Sequence, residues 1–256
     1  MEPLPILEKK LIIPSYFVDD RSQMTVCSLF QLMQEMSDRH ATILGAGWHS
    51  LRERGFFWVI IKIQMKINRL PKWTEEVTMR TWVRKSGAAT SPRDIEIIGS
   101  DGQVLVAAST VWAILDKEKG QPQRMDIFDG CFCPLDRSAL ELKPMKIGPI
   151  RLPDTLPEPM DVRHSDIDIN KHVNNAHYIQ WAFDAMSESF RQTHRITGVA
   201  VKFIAQAKLG DRYIVCTEPV SDSCFNTAIF SADGNTEYCR LQTEWETVDL
   251  SRSFER

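Results

Sequence analysis

Three residues with chemically useful side chains lie at alternate positions in the second half of the chain. Asp168, Asn170 and His172 supply a carboxylate, a carboxamide and an imidazole, just before a segment whose apolar residues recur at helical spacing. Such a run can direct three polar groups at one point beside a helix N-terminus, where backbone N–H groups are unpaired and negative charge is favoured. This combination suits hydrolysis at an acyl carbonyl.

A structural role is the alternative interpretation of the same three residues. Asp and Asn favour turns and helix N-caps because their side chains bond to nearby backbone N–H groups. Asn174 or Asn175, however, lies closer to the start of the predicted helix and fits the N-cap better. Capping therefore does not require Asp168, Asn170 or His172.

The composition excludes some classes of partner. Of the 256 residues, 43% are hydrophobic and 25% are charged, and the formal net charge is −3. Such a chain can bury a sizeable core, and it has no long Lys/Arg run, so a nucleic-acid partner is not expected. No apolar run reaches the roughly 20 residues that cross a bilayer, so no membrane span is expected.

Cysteine usage and the N-terminus favour a reducing compartment. Of the six cysteines only Cys131 and Cys133 are near neighbours, and their spacing is not that of a common zinc site. Reduced thiols are therefore expected, with neither a metal nor a cofactor. Residues 1–10 contain charged residues and no apolar signal segment, which predicts a cytoplasmic protein.

The order of predicted elements repeats along the chain. An extended segment to about Tyr16 precedes a helical pattern, and strand-like runs follow at 57–68, 76–83, 93–98 and 104–115. Six prolines lie within 134–159, which predicts a linker. After it come a short extended piece, the motif, a helix, and strand-like runs at 199–207, 212–218, 225–231 and 237–247. The predicted domains are 1–133 and 160–256.

Local echoes indicate that the two halves arose by internal duplication. Thr110-Val111-Trp112 corresponds to Thr243-Glu244-Trp245, and residues 71–74 correspond to residues 207–210. The order of helix and strands without βαβ alternation predicts an α+β fold with an antiparallel sheet. We expect two tandem units side by side, each a central helix wrapped by its sheet.

The motif also carries a family resemblance. The string DIDINKHVNNAHYIQW resembles the catalytic signature of the acyl-acyl carrier protein (acyl-ACP) thioesterases, which are double-hotdog enzymes. Weaker similarities extend the match along the chain in order: Phe57-Trp58-Val59-Ile60, residues 69–73, Thr81-Trp82-Val83 and Thr110-Val111-Trp112.

The resemblance implies roles for the residues of the motif. Asp168 would act on the thioester carbonyl as nucleophile or as base for water, Asn170 would hold water or substrate, and His172 would orient and stabilise charge. A backbone N–H near Val173 or Asn174 would receive the oxyanion. Asn175 is the remaining substrate-binding residue expected at this helix start.

Gln206 departs from the family pattern. The second acidic residue of the family falls where this chain has a glutamine, within Lys202-Phe-Ile-Ala-Gln206-Ala-Lys. A glutamine cannot take a proton, but its amide can position water or an acyl carbonyl. Either Asp168 is the sole base, or the correspondence with the family slips by a few residues, or activity is reduced. Gln206 is then either a member of the catalytic group or an ordinary strand residue.

The first half has the corresponding turn without its chemistry. Residues 18–26 contain carboxylates at Asp19 and Asp20 but neither the alternate Asn nor the His. The first unit is therefore expected to hold the acyl chain, with Trp58 as a substrate-binding residue of an apolar pocket. Simple core packing is the alternative for the methionines and aromatics around it: Met24, Met33, Met36, Met65, Phe56 and Phe57.

We therefore expect hydrolysis of fatty acyl-ACP to free fatty acid and ACP, which ends chain extension in fatty acid biosynthesis. An acyl-CoA thioesterase and a catalytically weak acyl-binding hotdog protein are the alternatives. The expected partner is an acyl carrier protein with a phosphopantetheine-linked acyl chain, while a homodimer stays open. A basic group of residues in the first half could dock the acidic carrier, or could be an ordinary solvated face: Lys62, Lys66, Arg69, Lys72, Arg80, Arg84 and Lys85.

Overall fold

The computed structural model describes residues 4–128, 130–140 and 147–248. The chain divides into two compact units, residues 1–143 and 144–256. The boundary falls within the predicted proline-rich linker. Each unit contains one antiparallel sheet and helices, which is the predicted α+β architecture.

The first unit contains a long helix and a five-stranded sheet. Its strands follow one another in space as β1-β3-β4-β5-β2, and every neighbouring pair is antiparallel. The helix α1 packs against β3 and buries Leu29, Phe30, Met33 and Met36. The elements are β1 Ile6–Ile12, α1 Val26–Ile43, α2 Trp48–Glu53, β2 Phe56–Ile67, β3 Glu76–Val83, β4 Ser91–Gly99 and β5 Val104–Asp116.

The second unit repeats this plan with a shorter central helix. Its strand order, β6-β8-β9-β10-β7, is that of the first unit element for element, again with antiparallel neighbours. The helix α3 buries Ala176, Tyr178, Ile179 and Trp181. The elements are β6 Met160–Asp161, α3 Asn175–Asp184, α4 Glu188–Thr193, β7 His194–Phe203, β8 Arg212–Ser221, β9 Cys224–Ser231 and β10 Glu237–Thr247.

Matching hydrogen bonds support the internal duplication. The Trp112 Nε1–H donates to Thr110 Oγ1 at 2.9 Å, and the Trp245 Nε1–H donates to Thr243 Oγ1 at the same distance. The turn before β3 and the turn before β8 are also alike. Thr74 in the first turn and Gly210 in the second have positive φ angles, of 64° and 94°. The short similar segments found in the sequence therefore occupy equivalent positions in two copies of one unit.

The predicted strand at 199–207 is wrong at its end. The strand β7 stops at Phe203, and residues 204–208 form an irregular segment that leads to a turn. Gln206 is therefore not a strand residue. The regular ladder ends where the N–H groups of Ile204 and Ala205 both donate to the Tyr238 carbonyl, at 2.9 and 3.1 Å. Farther along, Val173 and Tyr178 supply the hydrogen-bond partners of Ala207.

Candidate active site

A tight turn presents the three motif residues. The Asp168 N–H donates to the His172 carbonyl at 2.8 Å, and the Lys171 N–H donates to the Asp168 carbonyl at 2.9 Å. Lys171 has a φ of 65°, which completes a three-residue hairpin loop of the common type, a type I turn followed by a left-handed residue. Asp168 Oδ1 accepts the Asn170 N–H at 2.8 Å. The turn thus holds Asp168 beside Asn170 and opposite His172.

The helix α3 begins directly after this turn. Asn174 is its N-cap, as predicted, and Asn174 Oδ1 accepts the Ala176 N–H at 2.9 Å. The Val173 N–H donates to the Ala207 carbonyl at 3.0 Å, and the Asn174 N–H donates to the Asp166 carbonyl at 2.8 Å. The two N–H groups expected to receive an oxyanion are therefore already engaged.

Asn175 supplies the alternative donor at the helix start. Its backbone N–H makes no hydrogen bond to any residue of the described chain, since the N-cap side chain bonds to the N–H of Ala176 instead. The first N–H groups of a helix point outward along its axis, at the positive end of the macrodipole. An oxyanion formed beside the turn would thus be received by Asn175.

His172 is held as a neutral imidazole. Burial lowers its pKa below the usual 6.5; Asp168 raises the pKa and Lys208 lowers it again. Its Nδ1 is buried and has no hydrogen-bond partner among the described residues. At neutral pH the ring can therefore accept a proton or direct an N–H toward a bound group, and it carries no charge of its own.

Gln206 directly precedes Ala207, whose backbone N–H and carbonyl are both hydrogen-bonded. The Ala207 N–H donates to the Tyr178 hydroxyl at 2.8 Å, while the Ala207 carbonyl accepts the Val173 N–H. Gln206 itself is exposed, and it forms no hydrogen bond with the described part of the chain. The structure thus places Gln206 next to the anchored Ala207 without joining it to Asp168, and its catalytic role stays a prediction.

A histidine–carboxylate pair that the sequence spacing did not reveal joins His177 to Asp166. His177 Nδ1 lies 3.4 Å from Oδ1 of the buried Asp166, whose Oδ2 accepts the Arg163 N–H at 2.8 Å. The Asp166 carbonyl also receives the Asn174 N–H, so the pair ties the turn before the motif to the first turn of α3. Asp166 and His177 both lie in the motif string, but on opposite sides of its turn. They share neither a helix nor a strand, so no periodic spacing in the sequence marks them as partners.

The first unit contains the same turn with other side chains. Asp19 repeats the bonds of Asp168: its N–H donates to the Gln23 carbonyl at 2.8 Å, and its Oδ1 accepts the Arg21 N–H at 3.0 Å. Ser22 has a φ of 58°, matching Lys171, and Thr25 caps α1. Arg21 and Gln23 thus stand where the second unit has Asn170 and His172, so this turn lacks the amide and the imidazole.

Trp58 lines a small pocket within the first unit, and its contact with substrate stays a prediction. Its indole N–H donates to the Ala46 carbonyl at 2.9 Å, and its ring stacks on Phe128 with centroids 6.2 Å apart. The methionines proposed with it, Met24, Met33, Met36 and Met65, are instead buried in the core. Simple packing accounts for those four residues.

No group of three or more His, Cys, Asp or Glu side chains in the described chain is arranged to hold a metal ion. Among the described helices, none is both long and apolar enough to cross a bilayer.

Two α+β units of identical strand order, each built on a central helix, define a tandem hotdog protein with the motif turn in its second copy. Sequence profiles agree: that of the acyl-ACP thioesterase N-terminal domain matches residues 6–128, and that of the C-terminal domain matches residues 153–247. The chain belongs to the acyl-ACP thioesterase family.

Individual relatives are distant in sequence. An oleoyl-acyl carrier protein thioesterase of Coriandrum sativum is 24% identical over 256 residues, covering 93% of this chain and 68% of the relative. An acyl-[acyl-carrier-protein] hydrolase of Cuphea viscosissima is 26% identical over 208 residues, covering 75% of this chain. The chain spans 49% of the length of that Cuphea relative.

Solved structures share the fold of the whole chain. An acyl-ACP thioesterase from Bacteroides thetaiotaomicron superposes with a TM-score of 0.85 at 24% identity, covering 94% of this chain and 98% of that one. The 12:0-ACP thioesterase from Umbellularia californica gives 0.83 at 22% identity, covering 95% and 98%. These matches confirm the tandem hotdog fold.

Proposed function

We propose that the protein hydrolyses the thioester of a fatty acyl chain carried on the phosphopantetheine of an acyl carrier protein. The observation that carries the proposal is the turn at the start of α3, which holds Asp168, Asn170 and His172 together beside the free N–H of Asn175. Family membership supports the same reaction, since the relatives are named as acyl-ACP thioesterases and hydrolases.

Asp168 is the group that starts the reaction. One of its carboxylate oxygens, Oδ1, is held by the Asn170 N–H, which fixes the direction of the other. That second oxygen either removes a proton from water or attacks the thioester carbon directly. Addition to the carbonyl places negative charge on its oxygen, and collapse of the adduct expels the thiolate of phosphopantetheine. When water is the nucleophile, this step releases the fatty acid; when Asp168 attacks directly, a water molecule then hydrolyses the acyl-aspartate anhydride, which frees the fatty acid and restores the carboxylate.

The helix start and the imidazole serve the later steps. The Asn175 N–H would stabilise the oxyanion; one such donor contributes about 2.7–4 kcal/mol to a transition state. His172 is neutral at neutral pH because burial lowers its pKa, so its ring can orient the reacting water or carry a proton toward the departing thiolate. A thiolate is a good leaving group, and the reaction therefore needs no metal ion.

The acidic carrier would dock on the exposed basic residues of the first unit. Several members of the group predicted from the sequence are already paired: Arg69 makes two bonds to Glu75, and Arg80 is bonded to Glu8. Lys62 and Lys66 are both exposed on β2, and their even separation in sequence places them on one face of that strand. They support docking of a negatively charged partner better than the paired arginines do.

Hydrolysis of matched acyl-ACP and acyl-CoA substrates tests this function. We expect a higher kcat/KM for acyl-ACP, and we expect Lys62→Glu with Lys66→Glu to raise the KM for acyl-ACP without changing that for acyl-CoA. Lys9→Glu, an exposed change on the strand β1, is the matched control. Equal rates on both carriers would make the protein an acyl-CoA thioesterase, and binding without turnover would make it an acyl-binding protein.

The proposed setting is fatty acid biosynthesis in a reducing compartment, with release of the free fatty acid as the step that ends chain extension. All six cysteines lie in the described residues and none forms a disulfide bond there, which supports a reducing environment such as the cytoplasm. Cell fractionation with an antibody to the native protein would test the compartment. Size-exclusion chromatography with light scattering would test the homodimer.

A further inference from the structure

A buried arginine lies in the pocket of the first unit. Arg93, on the strand β4, is only 6% exposed, and its Nη1 donates to His40 Nδ1 at 2.9 Å and to Thr81 Oγ1 at 3.1 Å. His40 Nε2 lies 2.9 Å from the Leu4 carbonyl, which fixes the ring N–H on Nε2 and leaves Nδ1 as the acceptor. Burial lowers the pKa of His40 to about 4, so both partners of Arg93 are neutral.

The charge of Arg93 is not closely paired within the described chain. No carboxylate there lies within ion-pair distance of Arg93, and the group that acts on it electrostatically is Asp38 on α1. Burial lowers the pKa of Arg93 to about 10, which still leaves it charged at neutral pH. An isolated charge in a protein interior is costly unless it is hydrogen-bonded or paired. The hydrogen bonds that Arg93 makes to other side chains leave from Nη1.

The pocket around Arg93 is both aromatic and polar. Trp58, Trp112 and Phe132 form its apolar walls, while Ser37, Ser91 and Asp38 add polar groups beside the guanidinium. Its volume is about 70 Å³. That is less than half of the roughly 150 Å³ cavity that holds one benzene molecule, so the pocket fits a group of a few heavy atoms.

We infer that this pocket binds a hydroxyl-bearing part of the acyl chain, so that the preferred substrates of the proposed thioesterase are hydroxyacyl groups. A hydroxyl oxygen accepts a hydrogen bond from Arg93, and its hydrogen can be donated to Asp38 or to a serine. A plain alkyl end would add no acceptor to those that His40 and Thr81 already give the guanidinium. A carboxylate would be attracted by Arg93 but repelled by Asp38, and it could not donate a hydrogen bond to Asp38 as a hydroxyl can. The substrate class rests on the proposed function, whereas the pocket and its hydroxyl ligand do not.

Substrate competition gives the first test. Octanoyl-ACP is compared with octanoyl-ACPs that carry a hydroxyl at different carbons, and at least one hydroxylated chain should be preferred about tenfold in kcat/KM. Arg93→Met should remove this preference, whereas Arg80→Met, a change at a half-buried arginine of the adjacent strand β3, should retain it. A wild-type preference for the unsubstituted chain at every hydroxyl position would overturn the inference.

A second variant covers the case in which Arg93→Met does not fold. Asp38 lies on the outer part of α1, and Asp38→Asn keeps its shape while removing its charge. This variant should accept an octanoyl-ACP with a terminal carboxylate at least about tenfold better than the wild type, because the repulsion is gone. An unchanged rate on the carboxylate substrate would show that Asp38 does not face the bound group, and the hydroxyl assignment would fall.

Binding separates the failure of this inference from failure of the proposed function. Calorimetry on full-length Asp168→Asn, which should not turn over substrate, compares hydroxyoctanoyl-ACP with octanoyl-ACP. Tighter binding of the hydroxylated chain that is lost with Arg93→Met would support the pocket even if the wild type hydrolysed neither substrate. Hydrolysis by the wild type with equal binding of both chains would reject the pocket and keep the thioesterase.

Discussion

The hydrogen bond between Tyr178 and Ala207 connects the stability of the second unit to the shape of its site. Tyr178 is 1% exposed and Ala207 is fully buried, so Tyr178→Phe would leave the Ala207 N–H without an acceptor and away from water. An unsatisfied buried donor costs about 1–3 kcal/mol of stability. At about 2–4 °C per kcal/mol for a chain of this size, the melting temperature should fall by several degrees.

The Tyr178→Phe substitution should also affect the proposed catalytic residues, His172 in particular. Ala207 also accepts the Val173 N–H, and its neighbours are Gln206 and Lys208, of which Lys208 lowers the pKa of His172. A loosened 204–208 segment should therefore lower kcat more than it raises KM, and it should raise the pKa of His172 as Lys208 moves away.

A matched control is available in the same unit. Tyr213 is also buried, but its hydroxyl makes no hydrogen bond with the described residues and its ring stacks on Trp181 with centroids 3.7 Å apart. Thermal unfolding, steady-state kinetics and an NMR titration of His172 are compared for Tyr178→Phe and Tyr213→Phe. If both variants lost the same stability and kept wild-type kinetics, the reasoning that links Tyr178 to the site would be refuted.

Three further predictions concern the motif and its copy. Asp168→Asn should lower kcat by at least about a hundredfold with an unchanged melting temperature, because the carboxamide keeps the shape but cannot act as base or nucleophile; a folded variant with wild-type rate would remove Asp168 from the mechanism. Asp19→Ala and Asp20→Ala should each leave kcat within about twofold, since their turn lacks the amide and the imidazole, and loss of hydrolysis by a folded variant would contradict a single site. Gln206→Glu should give the pH–rate profile a new inflection near neutrality if the side chain faces Asp168, because like charges raise the pKa of one carboxyl; a profile that superposes on the wild type would exclude Gln206 from the site.

The sequence predicted those features that depend on local spacing. The α+β class, the duplication and the N-cap at Asn174 all follow from periodicity, turn residues and short echoes, and the structure confirms them. The turn that presents Asp168 and His172 could be anticipated too, since polar residues at alternate positions before a helix start point to a common edge.

Features that depend on distant partners could not be predicted in this way. The segment after β7 is held by distant residues: the Tyr238 carbonyl accepts the N–H groups of Ile204 and Ala205, and the Tyr178 hydroxyl accepts the Ala207 N–H from 29 positions away. The contact between His40 and Arg93 joins residues 53 positions apart, and nothing in either neighbourhood marks the two as partners. The spacing of residues along one helix or strand predicts which side chains lie on the same face. It does not predict which residues of other elements pack against that face.

The two equivalent turns show that one backbone arrangement forms with two different sets of side chains, so the proposed catalytic groups are not needed to shape it. Asp19 and Asp168 sit in the same backbone arrangement, with matching bonds and matching left-handed residues at Ser22 and Lys171. Since the bonds that shape the turn come from the backbone and one carboxylate, the amide and the imidazole could be lost from one copy after duplication without loss of structure. Evolution could thus retain one catalyst and release the other unit for substrate selection, and Arg21 and Gln23 mark where the two copies diverged.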